Sequence, residues 1–187
     1  MLTTYISILR GINVSGQKII KMEALREMYS ALGFKNVQTY IQSGNVFFQE
    51  EKTDKEKLTK RIAEKIAETF GFDVSVLMLE MDELREIIRA NPFSARENKD
   101  TSRMYVTFLS SKPSKENTEK INGDMFFPEE FVMINKAIYL YFPEGYGNAK
   151  LSNNFFETKL KVSATTRNWR TTNELLTLAE KIANKQH

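Results

Sequence analysis

Two short strings in this chain join turn-forming residues to Arg and Asn: Arg10-Gly11-Ile12-Asn13-Val14-Ser15-Gly16 and Thr165-Thr166-Arg167-Asn168-Trp169. That combination suits the capture of an anion. Glycines let a loop turn sharply and bring backbone N–H groups close to a ligand. An Arg at a strand end offers a two-pronged fork, and Asn, Ser and Lys add further donors. Carboxylates are missing around both strings, from Met1 to Met22 and from Thr158 to Asn173, while Arg10, Lys18, Lys21, Lys159, Lys161, Arg167 and Arg170 fall inside those stretches. The residues expected at an anion site are Arg10, Asn13, Ser15 and Lys18 from the first string and Thr166, Arg167 and Asn168 from the second. Tyr40, Gln42, Ser43 and Asn45 join them from a hairpin beside the first.

Neither string is a known nucleotide fingerprint. Gly16-Gln17-Lys18 stands where a phosphate-binding P-loop ends in Gly-Lys-Ser/Thr, and the dinucleotide glycine pattern is absent. A purely structural role, with Arg10 and Asn13 stitching the loop to the neighbouring hairpin, competes with the anion reading. The second string precedes a helix, whose first N–H groups favour anions. Glu174 works against this by competing for those donors, and the sole tryptophan, Trp169, reads as a core plug between that helix and the sheet.

The missing residue types narrow the chemistry. There is no cysteine, and the one histidine is His187, the last residue. Thiolate and Ser-His-Asp catalysis are excluded in practice, as are zinc and iron–sulfur centres, so no metal and no cofactor is expected. An enzyme here would have to work with Asp, Glu, Lys, Tyr, Ser or Arg, with or without an oxygen-coordinated Mg²⁺, and without an evident base; a Lys, or a carboxylate brought in by folding such as Glu144 or Glu157, could fill that role. The net charge of +3 is small for a duplex-DNA binder, and 41% hydrophobic with 27% charged residues is the balance of a globular protein. Met1 leads straight into Leu2-Thr3-Thr4 without a basic region and apolar run, so no signal peptide is expected. No apolar stretch reaches the roughly 18 residues of a membrane helix. The expectation is a cytoplasmic protein with no membrane partner; its oligomeric state is not legible.

The elements that would position these residues occur twice. Thr4 to Leu9 reads as a strand, and a helix from about Met22 places Met22, Leu25, Met28 and Leu32 on one side before Gly33 ends it. Asn36–Ile41 and Asn45–Gln49 form a hairpin through Gln42-Ser43-Gly44. A second helix opens with Thr53 and Glu56 at capping-box spacing, repeats Leu58, Ile62 and Ile66, and stops at Gly71. A strand at Phe72–Leu79 and a short helix at Asp82–Ala90 follow. After a polar linker at about 93–102 the order returns: a strand from Arg103 to Leu109, a helix from Ser114 to Ile121 stopped by Asn122-Gly123, a hairpin of 131–134 and 137–142, a helix over about 149–159, a strand at 162–165, and a closing helix from Thr171 with Glu174 completing a capping box. The expected fold is α+β, two ferredoxin-like (βαββαβ) domains with antiparallel sheets and helices on one face, at 1–92 and 103–187.

Alternation along the strands divides each sheet into two faces. Ile6, Ile8, Val37, Ile41, Val46 and Phe48 are assigned to the helix side, leaving Tyr5, Ser7, Gln38, Tyr40, Gln42, Phe47 and Gln49 open. In the second half Met104, Val106, Phe108, Ile138, Leu140 and Phe142 turn inward and Tyr105, Thr107, Tyr139 and Tyr141 outward. Aromatics and amides on an open sheet would form a base-stacking platform. The first strands lack the Asn and the basic-Gly-aromatic run of RNA-recognition strands, and faces of this kind also pack against each other or a second subunit.

Leu9-Arg10-Gly11-Ile12-Asn13-Val14-Ser15-Gly16, Gly33-Phe34, Thr39-Tyr40-Ile41-Gln42-Ser43-Gly44-Asn45-Val46-Phe47-Phe48 and Ala164-Thr165-Thr166-Arg167-Asn168-Trp169 together resemble a widespread bacterial family of uncharacterised proteins, from end to end of the chain. Ser15 stands where that family usually has glycine. The resemblance implies a bacterial, cytosolic protein of two ferredoxin-like domains, and it transfers no catalytic residue. Three functions follow: a binding protein for an anionic or phosphorylated small molecule in a cleft where the two strings and the Gln42–Asn45 hairpin tip converge, which leads; a single-stranded nucleic-acid binder using the sheet aromatics; and an enzyme without Cys or His chemistry acting on an anionic substrate.

Overall fold

The first sheet forms because four short, β-branched and aromatic-rich segments pair antiparallel around one central strand. In the computed structural model, which describes residues 2–97, 100–121, 123–147 and 149–184, these are β1 (Leu2–Leu9), β2 (Lys35–Tyr40), β3 (Asn45–Glu51) and β4 (Val76–Glu80), in the order β2-β3-β1-β4. The helices α1 (Met22–Ala31) and α2 (Lys55–Phe70) supply the crossovers, and α3 (Met81–Arg89) follows β4. The second sheet repeats the plan with β5 (Met104–Leu109), β6 (Glu130–Ile134), β7 (Ala137–Tyr141) and β8 (Ala164–Asn168), in the order β6-β7-β5-β8. Its crossovers are α4 (Lys115–Glu119) and α5 (Asn153–Leu160), and α6 (Trp169–Asn184) closes the chain. Both are ferredoxin-like βαββαβ arrangements, and the fold is α+β. Two compact units result, Met1–Arg85 with Leu175–His187 and Glu86–Glu174.

In the first unit, Leu58, Ile62 and Ile66 of α2 and Leu25, Met28 and Tyr29 of α1 are buried against Tyr5, Leu9, Val46 and Phe48. Each fully buried aliphatic side chain of this kind contributes roughly 1.5–3 kcal/mol. The helix face of β1 is thus Tyr5, Ser7 and Leu9, since Tyr5 stands opposite Phe48 and Ser7 opposite Val46. The assignment of Ile6 and Ile8 to this side was out of phase by one residue. The reason is that β1 is buried on both faces: Ile6 and Ile8 are completely buried as well, as is Phe47 of β3 opposite Ile6, so no polar alternation marks the phase. Ser7 tolerates its position because its hydroxyl meets that of Tyr29 at 2.7 Å.

The second unit shows the same inversion. Tyr105 and Thr107 stand opposite Leu140 and Ile138, which belong to the helix-side core with Phe142, Phe156 and Leu160. Met104, Val106 and Phe108 turn the other way and are buried there too. On that side the Tyr139 hydroxyl donates to the carbonyl of Ile87 at 2.7 Å, and Tyr141 packs on Phe93. The open stacking platform expected of Tyr5, Tyr40, Phe47, Tyr105, Tyr139 and Tyr141 reduces to half-buried Tyr40: Tyr5 and Tyr105 pack on the helix side, and Phe47, Tyr139 and Tyr141 are buried.

Three helix starts differ from expectation, two of them because a short carboxylate or amide nearer the helix start takes the cap from the Thr that was expected to hold it. The cap of α2 is Asp54, whose Oδ1 accepts from the Glu56 N–H at 2.7 Å; the Thr53 N–H is taken by the Tyr5 hydroxyl. For α6 it is Asn168, whose Oδ1 accepts from the Thr171 N–H at 2.7 Å, so Thr171 lies inside the helix and the Thr171–Glu174 box is not formed. Ser152 caps α5, which starts at Asn153 rather than near Ala149. Ile41 also moves: β2 ends at Tyr40, and Ile41 sits in the turn at φ 50°, 49% exposed. Asn122, Lys99 and His187, used above as a helix stop, part of the linker and the sole histidine, lie outside the described residues.

Candidate functional site

The first string leaves β1 and forms a loop held by one side chain. Asn13, at φ 55°, donates its amide N–H groups to the carbonyls of Ile20 at 2.9 Å and Gln42 at 2.8 Å, and its Oδ1 accepts from the Ile20 N–H at 2.8 Å. One asparagine thereby closes the loop on itself and ties it to the hairpin tip. Gly44 completes the junction. Its carbonyl accepts from the Leu9 N–H at 2.8 Å, its φ is 78°, and an added Cβ would lie 2.7 Å from that of Leu9. The expected neighbourhood of the loop and the Gln42–Asn45 tip is real, and the topology produces it: Asn45 stands opposite Ile8.

Most of the first string's expected ligands are already in use. Buried Asn45 donates to the Tyr40 carbonyl and to the Ser43 hydroxyl, and Lys18 donates to the carbonyl of Asp73. Arg10 and Ser43 are engaged within the protein as well. Ser15 and Gln42 are exposed, and Tyr40 is half-buried. The side chains of these three are uncommitted among the described residues.

The second string is a strand and not a turn, which re-sorts its residues. Thr166 stands opposite Thr107 and Asn168 opposite Tyr105, on the helix side, whereas Arg167 stands opposite Val106 and turns the other way. Thr166 shares its hydroxyl with Thr107 at 2.6 Å and donates to Asn153 Oδ1 at 2.7 Å. Asn168 is the α6 cap. Arg167 donates to the carbonyl of Thr166 at 3.0 Å, and burial pushes its guanidinium down to about 10, which leaves it a cation at neutral pH. Thr166, Arg167 and Asn168 therefore do not form one cluster.

Beside them lies a cavity of about 400 Å³ lined by Thr101, Ser102, Tyr105, Asn168, Trp169 and Arg170. Trp169, the expected core plug, is half-buried and opens α6 at its first position. It makes no ring contact among the described residues, whereas Tyr105 is fixed by stacking on Tyr146 at 5.1 Å and edge-on against Phe142 at 5.4 Å. The Thr101 hydroxyl, the Tyr105 hydroxyl, the Trp169 indole N–H and the Arg170 guanidinium have no hydrogen bond or ion pair among the described residues. Four uncommitted polar groups thus meet two aromatic rings. The nearest carboxylate in sequence, Asp100, is outside the lining. The Ser102 hydroxyl and N–H donate to it at 2.7 and 2.8 Å, and with Arg103 they hold it below the usual carboxylate range.

Other cavities have a different character. One of about 420 Å³ beside Phe93 carries Glu129 and Glu130, another beside Phe142 carries Glu129 and Glu144, and one beside Leu58 carries Glu50 and Glu51. The cavity at Trp169 has no acidic residue in its lining. No group of three or more His, Asp or Glu able to hold a metal occurs among the described residues, and no helix there is long and apolar enough to cross a membrane. Sequence reasoning missed the site because it stopped at the string; the signal was the adjacent pair Trp169-Arg170, an unusual aromatic and a cation at the first helical positions.

This α+β architecture, with two split-βαβ sheets, is that of a known bacterial fold. The chain belongs to the family described as "Protein of unknown function (DUF1697)", which matches residues 2–139. It is similar in structure to the conserved bacterial protein SP0830 from Streptococcus pneumoniae, with a TM-score of 0.72 and 23% identity over 96% of this chain and 99% of that one. No curated protein matches it.

Proposed function

We propose that this protein binds an anionic small molecule, and that the cavity at the start of α6 receives it. The observation that carries the reading is the uncommitted Arg170 guanidinium at a cavity whose lining has no carboxylate. A guanidinium stays charged at all ordinary pH and grips phosphate or carboxylate oxygens in pairs. Thr101 and Tyr105 add hydroxyl donors. The cavity volume lies within the roughly 300–1,000 Å³ range of small-molecule sites. The first loop contributes by holding the fold: Asn13 and Asn45 support the hairpin junction, and Lys18 ties the loop to the Asp73 carbonyl.

Titration calorimetry of the full chain with inorganic phosphate and pyrophosphate tests this. Binding should weaken about tenfold or more in Arg170→Ala, the loss of one charge-assisted contact, with melting unchanged. Equal binding by the variant contradicts the reading, as does the absence of binding by every anion tested. Nucleic-acid binding has lost its support with the burial of the sheet aromatics. A cytoplasmic location belongs to the same proposal, and cell fractionation tests it. Residues 93–102, which join the two sheets, are proposed as the linker between domains at 1–92 and 103–187, supported by the absence of strand and helix from 91 to 97. The segment belongs to the second compact unit, where Phe93 packs on Tyr141. Trypsin should cut first at Arg96, Lys99 or Arg103; first fragments ending within 36–49 or 129–142 would contradict that.

A further inference from the structure

We infer that the ligand is a small anion carrying a planar aromatic ring, of the nucleoside monophosphate or aromatic carboxylate class, with its ring against Trp169 and its charge on Arg170. This rests on the reading above and adds the ring. Trp169 is the one tryptophan of the chain, and its indole is half-buried at the cavity with no ring partner among the described residues. The surrounding aromatics do find partners: Tyr105, Phe142 and Tyr146 form a closed set with centroid separations of 5.1 to 5.5 Å. Tyr105 is thereby a rigid wall, and its register opposite Asn168 puts it beside the first residue of α6. An indole without a ring partner, lining the same cavity as a fixed phenol, offers a surface to a flat π system, and stacking on such a surface does not depend on the identity of the ring.

The polar groups divide the same way. Arg170 supplies charge, while the indole N–H and the Thr101 and Tyr105 hydroxyls supply neutral hydrogen bonds of the kind that read the edge of a ring or a sugar. A ring-less anion would use Arg170 and the Thr101 and Tyr105 hydroxyls and leave the two aromatic surfaces wet. Uncharged aromatics would leave the guanidinium idle. A ligand bearing both groups fills the cavity's two halves at once.

The test is calorimetry on the full chain with four probes: adenosine monophosphate, 4-hydroxybenzoate, adenosine and inorganic phosphate. Quenching of Trp169 fluorescence is a second readout for the non-absorbing and weakly absorbing probes. The ring-bearing anions should bind about tenfold or more tighter than phosphate, the gain expected of one stacked ring, and about tenfold or more tighter than adenosine, the gain expected of the charge-assisted contact to Arg170. Which of the two binds tighter separates nucleotide from carboxylate. Trp169→Leu should abolish that advantage while phosphate affinity stays, and Trp169→Phe should restore most of it, which guards against a variant that merely disturbs α6. Phosphate binding as tightly as adenosine monophosphate, or Trp169→Leu leaving the difference intact, overturns the inference while the anion reading survives. If none of the three anions binds, the anion reading itself falls.

Discussion

The loop from Arg10 to Lys21 and the cavity at Trp169 draw on the same residue types and put them to opposite uses. In the loop, the amide of Asn13 makes three hydrogen bonds within the protein, Lys18 donates to the Asp73 carbonyl, and Asn45 is buried with its N–H groups satisfied. At the cavity, Arg170, Thr101, Tyr105 and Trp169 hold polar groups that the described structure does not use. The difference teaches that turn chemistry and ligand chemistry look alike in a sequence. Asn, Gly and Lys at positive φ serve a strained loop as well as they would serve an anion. What separates the two is whether a donor's partner is already inside the protein.

The sharpest way to break the comparison is Gly44→Ala. A Cβ there would sit 2.7 Å from that of Leu9 and 2.8 Å from Ile12 Cδ1, in a left-handed conformation. Destabilisation of about 3 kcal/mol is expected from overpacking and strain together, read as a lower denaturant midpoint at unchanged slope. Next comes Asn13→Ala, which opens the loop and leaves the Ile20 and Gln42 carbonyls without this donor; about 2 kcal/mol is expected.

Alkaline pH probes the buried phenols. Burial pushes Tyr139 up to about 12, and it raises Tyr29 as well. The unfolded chain therefore loses these protons first, near its ordinary pKa of about 10. The stabilisation is fully present below that pH and falls as the pH rises from about 10 through 12. Urea titrations across that window should show the decline, and Tyr139→Phe should flatten it. Ser15→Gly should have the smallest effect, a stabilisation of about 0.5 kcal/mol or less, because it relieves an exposed residue at φ 51°.

Much of the fold was legible because its punctuation is local. Gly33, Gly71 and the Gln42-Ser43-Gly44 turn mark ends that the structure keeps, and the βαββαβ order follows from them twice. The phase of β1 and β5 was not legible. Both are central strands buried on two faces, and Ile6 and Val106 carry no sign of which side the helices cover. Capping was misread by one to three residues at Asp54 and Asn168, where Thr was preferred to a closer Asp or Asn. At the site, the strings were visible but their use was not. Hydrogen bonds such as that from Asn13 to Gln42 span 29 residues of sequence, and only folding reveals that a donor is taken.

The most direct measurement crosses the two regions: phosphate affinity and melting temperature for Asn13→Ala and Arg170→Ala, each assayed well below its melting point. The account predicts that Asn13→Ala melts several degrees lower and binds as the parent does, while Arg170→Ala melts as the parent does and binds about tenfold or more weakly. The reverse pattern, with binding lost in Asn13→Ala and kept in Arg170→Ala, would place the ligand at the first loop and contradict the account.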